Sequence, residues 1–216
     1  MLRWAPLKTA ESVRWLSPLT YPHWLEGQDP WLETKLPYAL KIMHPAYRNE
    51  GRNSIAVSWQ EIARASGVSI APGTNFFSFA RQENGVWAWP PVFDRHPEEG
   101  GLPPELLGAV YEHLDNAEFG LVWTSWNYAE AFEGQSAIVD DESGQQFYAA
   151  VRQDGGPGAR GVPFIESPMN YWWPKDNSWC AATGYDEVET IIAADSIELL
   201  RRIHEDPRLE TIILKS

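Results

Sequence analysis

The chain has 216 residues, 44 % of them hydrophobic, which is enough for a substantial core in one large domain or two small ones. It contains no run of about 18 apolar residues that would predict a transmembrane helix, and residues 1–8 lack the apolar stretch of a signal peptide. A single cysteine, Cys180, excludes an internal disulfide, so we expect a cytoplasmic protein that does not bind membranes.

The net charge of −13 is unevenly distributed along the chain. Residues 1–95 carry ten Lys or Arg and eight Asp or Glu, whereas residues 96–216 carry seven and twenty-two. Such an acidic half disfavours binding to nucleic acid and speeds association with a basic protein surface. An ordinary solvated surface is the alternative explanation.

The first third of the chain changes character near residue 37. Residues 1–37 are rich in Trp and Pro and predict short helical turns in irregular chain. Alternating apolar residues predict a strand over 38–44. A polar loop over 47–53 and a short extended piece over 55–57 are expected to follow.

A helix is predicted over 59–66 by its end signals. Ser58 and Glu61 have the spacing of a capping box, and Gly67 supplies the residue that follows the last turn. Two strands over 75–81 and 85–89 come next, joined by a hairpin turn that contains Asn-Gly.

Residues 90–101 form a Pro-, Gly- and Glu-rich loop that coincides with the change in charge. We therefore predict a Trp/Pro-rich N-terminal sub-domain over 1–95 and an acidic sub-domain over 96–216, with one continuous domain as the alternative. A helix begins at Pro103-Pro104 and is expected to end near Asp115.

The acidic half predicts an alternation of strands and one further helix. The strands are expected over 119–126, 146–151, 178–183, 189–193 and 209–214. The helix is expected over 196–205, capped by Asp195 and Glu198. The resulting fold class is α+β, with a mixed, mostly antiparallel sheet, a few short helices and a β-α-β unit at the end.

An aromatic stretch precedes the strand over 178–183. Residues 170–174 read as an aromatic loop, and Asp176-Asn177 as a turn. Because three consecutive aromatics cannot all face one core, at least one of Tyr171, Trp172 and Trp173 is a candidate for a contact with a partner. Indoles in the Trp87-Ala88-Trp89 segment are expected in the core.

Residue types that carry catalysis or bind metals show no recognisable spacing. Cys180 lies in an apolar strand and is expected to be a buried structural thiol. The five histidines lack metal-ligand spacing, and Asp140-Asp141-Glu142 is typical of a solvated turn. We therefore assign no catalytic residue, metal or cofactor.

Several segments are similar to a family of uncharacterised bacterial proteins found mainly in actinobacteria. The most specific is an N-x-W-W-P-x-D-x-x-W-C-x-x-T motif, which runs from Asn170 to Thr183. Shorter matches are residues 44–48, 58–63 and 102–107, and the likeness departs after Thr183. The resemblance implies a bacterial cytosolic protein with a shared architecture, and it carries over no activity.

These observations favour a non-enzymatic protein-binding protein, most concretely an immunity protein that neutralises a basic toxin or effector. The acidic half would steer the partner, and aromatic anchors would bind it. The expected contacts are Trp172, Trp173, Asp176, Asp140, Asp141 and Glu142. The alternative is a small-molecule-binding protein or hydrolase whose pocket is lined by Trp123, Trp126, Trp172 and Trp173. The oligomeric state is left open.

Overall fold

The computed structural model describes residues 4–6, 15, 36–114, 117–123, 138–139, 146–152, 170–184 and 187–215. For β1 and β7–β9, whose bounds are given below, the backbone alone is described.

Thirteen strands and three α-helices lie in this part of the chain. The strands are β1 (Trp4–Pro6), β2 (Tyr38–Met43), β3 (Ala46–Glu50), β4 (Asn53–Val57), β5 (Arg81–Glu83), β6 (Val86–Ala88), β7 (Phe119–Trp123), β8 (Ile138–Val139), β9 (Gln146–Arg152), β10 (Tyr171–Trp173), β11 (Trp179–Thr183), β12 (Glu189–Ala194) and β13 (Thr211–Lys215). The helices are α1 (Trp59–Ser66), α2 (Pro104–His113) and α3 (Ile197–His204), with a 3₁₀ helix at Phe76–Phe79.

Nine of these strands form one antiparallel sheet in the order β1-β9-β7-β10-β11-β12-β2-β13, with β8 paired to β9. β12 and β13 both run antiparallel to β2, which lies between them, so they are parallel to each other and joined by α3. The predicted α+β class and closing β-α-β unit are confirmed. Because β2 comes from residues 1–95, strand pairing crosses the boundary predicted at 90–101.

The largest described core lies between one face of this sheet and the helices α2 and α3. Leu40 and Ile42 of β2 face Val110 of α2 and Leu200 of α3, and all four side chains are fully buried. Alternate residues of a strand point to opposite faces, so Met43 leaves this core and joins a second cluster. Helices α2 and α3 thus pack in the first cluster, and helix α1 packs in the second.

The second cluster is built around Trp59 at the start of α1. Its ring is fully buried, and its Nε1–H donates to the carbonyl of His44 at 2.8 Å. Phe76 and Phe79 pack on the same indole with ring centres 5.5 and 5.4 Å away. These contacts fix the segment from β3 to residue 96 against the end of β2.

Helix α1 has the predicted bounds, the predicted N-cap at Ser58 and the predicted glycine after its last turn, but only the Ser58 half of the predicted capping box forms. Ser58 Oγ accepts from the Glu61 amide at 3.1 Å, and Gly67 has a left-handed φ of 69°. The Glu61 carboxylate, however, pairs with Arg48 at 3.1 Å. The carboxylate of Glu210 accepts instead from the first two helical amides, at 2.6 and 2.7 Å.

Two predictions for the N-terminal half are wrong. Residues 47–53 are not a loop, because β3 and β4 pair across a tight turn at Gly51, whose φ is 65°. Residues 75–81 are not a strand, because the Asn75 side chain caps a 3₁₀ helix. Three residues per turn place Phe76 and Phe79 on the same, buried side.

Two predictions for the C-terminal half also need correction. Residues 171–173 are not a loop but the strand β10, which is hydrogen-bonded between β7 and β11. Helix α3 is capped by Ser196, whose Oγ accepts from the Leu199 amide, and not by Asp195. The strands β11, β12 and β13 lie where they were predicted to within two residues.

Candidate protein-binding surface

Of the six predicted contact residues, the described part of the chain contains Trp172, Trp173 and Asp176. Trp172 and Trp173 are 2 % and 0 % exposed, so they are not available to a partner. The same applies to Tyr171, which is also fully buried. Asp176 is exposed, and Asp140, Asp141 and Glu142 lie outside the described residues.

The two tryptophans of β10 lie on opposite faces of the sheet. Trp172 stacks on Tyr111 of α2 at 5.3 Å and meets Trp179 edge-on at 5.5 Å. Trp173 packs against Trp15 at 6.1 Å. A single pocket lined by both residues is therefore excluded, because neighbouring residues of a strand point apart. Trp126 and the Trp123 side chain lie outside the described residues.

Among the described residues, the exposed large aromatic side chains are found instead near the β5–β6 hairpin. Phe77 is 58 % exposed, Trp87 49 % and the neighbouring Val86 68 %. We call these three residues the aromatic surface. Trp87 was expected in the core, so this expectation is wrong.

Local geometry explains why these residues face solvent. Asn84 and Gly85 have φ values of 52° and 79° and close a two-residue turn. The strands β5 and β6 on either side of it form a two-stranded sheet of their own. Such a turn favours Asn-Gly. Within the 3₁₀ helix, Phe77 follows the buried Phe76 and points away from it.

The aromatic surface is held by rings beneath it. Phe77 meets Trp87 edge-on at 5.9 Å and Trp89 at a tilt at 5.6 Å. Trp89 stacks on Phe76 at 5.1 Å with an interplanar angle of 25°. Because Phe76 packs on Trp59, an unbroken chain of rings joins the surface to the core. These ring contacts restrict the rotamers of Phe77 and Trp87, and a side chain that is already restricted loses less entropy in any complex.

The surroundings of the aromatic surface are polar and carry both signs of charge. Arg81, Gln82 and Glu83 of β5 are all exposed. Arg81 also donates to the carbonyl of Ser66 at 3.4 Å, which ties the hairpin to the end of α1. An apolar centre with a polar rim is the usual composition of a protein-binding patch.

An open groove of about 440 Å³ lies at the far end of α3. Asp206 accepts from Arg208 at 2.7 Å and pairs with His113 at 2.9 Å, and Arg208 also pairs with Glu112 at 2.6 Å. Hydrogen bonds from Arg208 hold the pKa of the Asp206 carboxyl well below its usual range. These charged groups satisfy one another and fasten the end of α2 to the loop between α3 and β13. The groove is lined by His113, Arg202, Glu205, Asp206, Pro207 and Arg208.

A buried polar chain runs from His44 into the sheet. His44 Nδ1 lies 2.9 Å from the Glu98 carbonyl, and its Nε2 lies 2.8 Å from Thr190 Oγ1. The carbonyl can only accept, so Nδ1 carries the proton and Nε2 accepts from Thr190. Thr183 then donates to Thr190 over 2.7 Å. Burial lowers the pKa of His44 to about 4, so the ring is neutral near pH 7.

Cys180 is fully buried in β11. Burial raises the pKa of its thiol far above the usual range, so the nucleophilic thiolate is not formed near neutral pH. The prediction of a structural thiol is confirmed.

Among the described residues, no group of three His, Cys, Asp or Glu is arranged to hold a metal ion. None of the helices in that part of the chain has the length and apolar character to cross a bilayer.

The aromatic surface was not predicted from the sequence, because the strands expected over 75–81 and 85–89 are longer than those that form. In the structure the Asn-Gly turn is flanked by strands of only three residues, and so short a hairpin cannot enclose both of its faces. Comparison with known proteins gave no match to a family model, to a curated protein or to a solved structure. The resemblance of the Asn170–Thr183 motif therefore stays an interpretation.

Proposed function

We propose that this chain is a protein-binding protein whose anchor is the aromatic surface, and that it acts as an immunity protein against a basic toxin or effector. The observation that carries the proposal is the exposure of Phe77 and Trp87 on a rigid aromatic base. Trp residues dominate the binding energy of protein interfaces when they are buried by a partner.

The energy available from these side chains supports an anchor role. Burying a large apolar side chain contributes about 1.5–3 kcal/mol. Because Phe77 already contacts both Trp87 and Trp89, little rotamer freedom is left to lose on binding. Phe77 and Trp87 thus take the anchor role that was expected of Trp172 and Trp173, which stabilise the core instead.

The distribution of charge supports a basic partner. The chain carries −13 overall, and no Lys or Arg occurs between residues 96 and 151. The anchor lies in the nearly neutral half, so attraction and anchoring are separate steps performed by different segments. A field of this sign raises the association rate and makes it dependent on salt.

The test is a comparison of proteins captured from the native host by the wild-type chain and by the Phe77→Ala/Trp87→Ala double variant. We expect a basic protein that is retained by the wild type and lost by the double variant. Co-expression with that protein should then restore growth only with the wild-type chain.

Arg202→Ala is the control, since it alters an exposed residue of α3 outside the aromatic surface and outside the predicted contacts. It should retain the partner. Capture of the same proteins by the double variant would refute the anchor. A captured partner that is acidic, or that is not toxic, would refute the immunity role and leave the binding surface standing.

A further inference from the structure

The outer edge of β4 carries backbone groups that pair with nothing else in the described part of the chain. β4 pairs only with β3, and its residues Asn53 to Ala56 are all exposed. Ile55, at 38 %, is among the exposed large hydrophobic residues of the described part. Natural sheet edges are usually protected by charge, proline or a bulge. The sequence Asn-Ser-Ile-Ala-Val has neither charge nor proline.

The register of the hairpin defines which groups point outward. Tyr47 exchanges both of its backbone hydrogen bonds with Arg95, at 2.9 and 3.0 Å, on the side of β3 away from β4. Its cross-strand partner Ala56 must therefore also direct its N–H and C=O away from the hairpin. This orientation repeats every second residue, so Ser54 also directs its backbone N–H and C=O away from the hairpin.

We propose that β4 pairs with β4 of a second copy of this chain, antiparallel about a two-fold axis that passes beside Ile55. In that arrangement Ser54 of each copy exchanges two hydrogen bonds with Ala56 of the other. The four outward N–H and C=O groups of each copy are then all paired, by four hydrogen bonds in total. Ile55 faces Ile55 of the second copy as a non-hydrogen-bonded pair, the closest spacing in an antiparallel ladder.

Charge is complementary in the same register. Arg52, at the tip of the hairpin, is exposed and lies opposite Ser58 of the second copy. Glu61 follows Ser58 by one helical turn, and its amide bonds to Ser58 Oγ at 3.1 Å. The Glu61 carboxylate pairs with Arg48 of its own chain at 3.1 Å and stays 43 % exposed, so in this arrangement it can also accept from Arg52 of the other copy. The two-fold axis repeats this contact, as a self-complementary interface requires.

A single engineered cysteine tests the register directly. The native Cys180 is buried and does not compete. Ile55→Cys places two thiols across the axis with Cα atoms about 4.5 Å apart, within the range that a disulfide spans. Asn53→Cys is the matched control, because the two copies of position 53 are displaced by four residues, about 13 Å along the strands. We expect a covalent dimer of Ile55→Cys under mild oxidation and none of Asn53→Cys.

Sedimentation of the full chain provides the second measurement. The wild type should have twice the 24.5 kDa chain mass at about 100 µM, where a micromolar Kd gives mostly dimer. Ile55→Lys should be monomeric, and Val86→Lys, the same change on another exposed strand residue, should remain dimeric. A monomeric wild type would overturn the proposal. So would equal cross-linking of the two cysteine variants, or dissociation by Val86→Lys with no effect of Ile55→Lys. The outcome does not depend on the aromatic surface having a partner.

Discussion

The tryptophans of β10 and those of the β5–β6 hairpin differ in burial although both lie in aromatic-rich segments next to turns. β10 is hydrogen-bonded between β7 and β11, and both of its tryptophans are buried. β6 pairs with β5 alone, and Trp87 remains half exposed. In these two segments the burial of the tryptophans follows the number of strands that pair with their own strand.

Removing a tryptophan from β10 should give the largest effect. Trp172→Ala should lower the free energy of unfolding by about 3–5 kcal/mol, the usual cost of deleting a large aromatic from a core. The ring loses its stacking on Tyr111 and its contact with Trp179. Urea denaturation measures the change. A loss below about 1 kcal/mol would mean that Trp172 is not a core residue.

The buried His44 should make stability depend on pH. Its pKa is about 4 in the folded chain and 6.5 in the reference state, so the unfolded chain binds the proton first as the pH falls. This contribution is fully present above pH 6.5 and is lost between 6.5 and 4, by about 3 kcal/mol. His44→Gln should show a flatter stability profile across that window. If the stability of His44→Gln fell with pH as steeply as that of the wild type, other groups would be the cause of the pH dependence.

The carboxylate of Glu210 should contribute less than either of these core groups. Glu210→Gln removes the negative charge from the start of α1 and weakens the bonds to the amides of Trp59 and Gln60. A loss of about 1 kcal/mol is expected, as for other helix caps. Thermal unfolding of Glu210→Gln beside Glu83→Gln, an exposed acid on β5, measures it. Equal melting temperatures would contradict the capping role.

The smallest effect on stability is expected at the aromatic surface. Trp87→Ala loses its contact with Phe77 but creates no buried cavity, so the cost should be about 1 kcal/mol or less. The melting temperature, compared with that of Trp172→Ala, gives the test. A loss as large as that of Trp172→Ala would place Trp87 in the core and end its role as an anchor.

Local signals in the sequence predicted the parts of the fold that depend on neighbouring residues. Ser58 and Gly67 define α1, and Asn84-Gly85 closes the hairpin turn, because their conformations are set within a few residues. The α+β class followed in the same way from the periodicity of the segments.

The remaining features depend on residues far apart in the chain. Glu210 meets the amide of Trp59 across 151 positions, and His44 meets Thr190 across 146. No periodicity reports such pairs. Likewise, Trp173 became a core residue because β10 found two partner strands, which its own sequence does not reveal. The burial of Trp172 and Trp173, which the sequence did not predict, has this origin.

The most direct test of the central claim is the affinity of the captured basic partner for Phe77→Ala/Trp87→Ala, measured by titration calorimetry against the wild type. The wild type and the double variant should unfold at similar temperatures. Loss of the two anchors should weaken binding by at least about 100-fold, the equivalent of about 2.7 kcal/mol. An affinity equal to that of the wild type would contradict the claim that the exposed aromatic residues bind the partner.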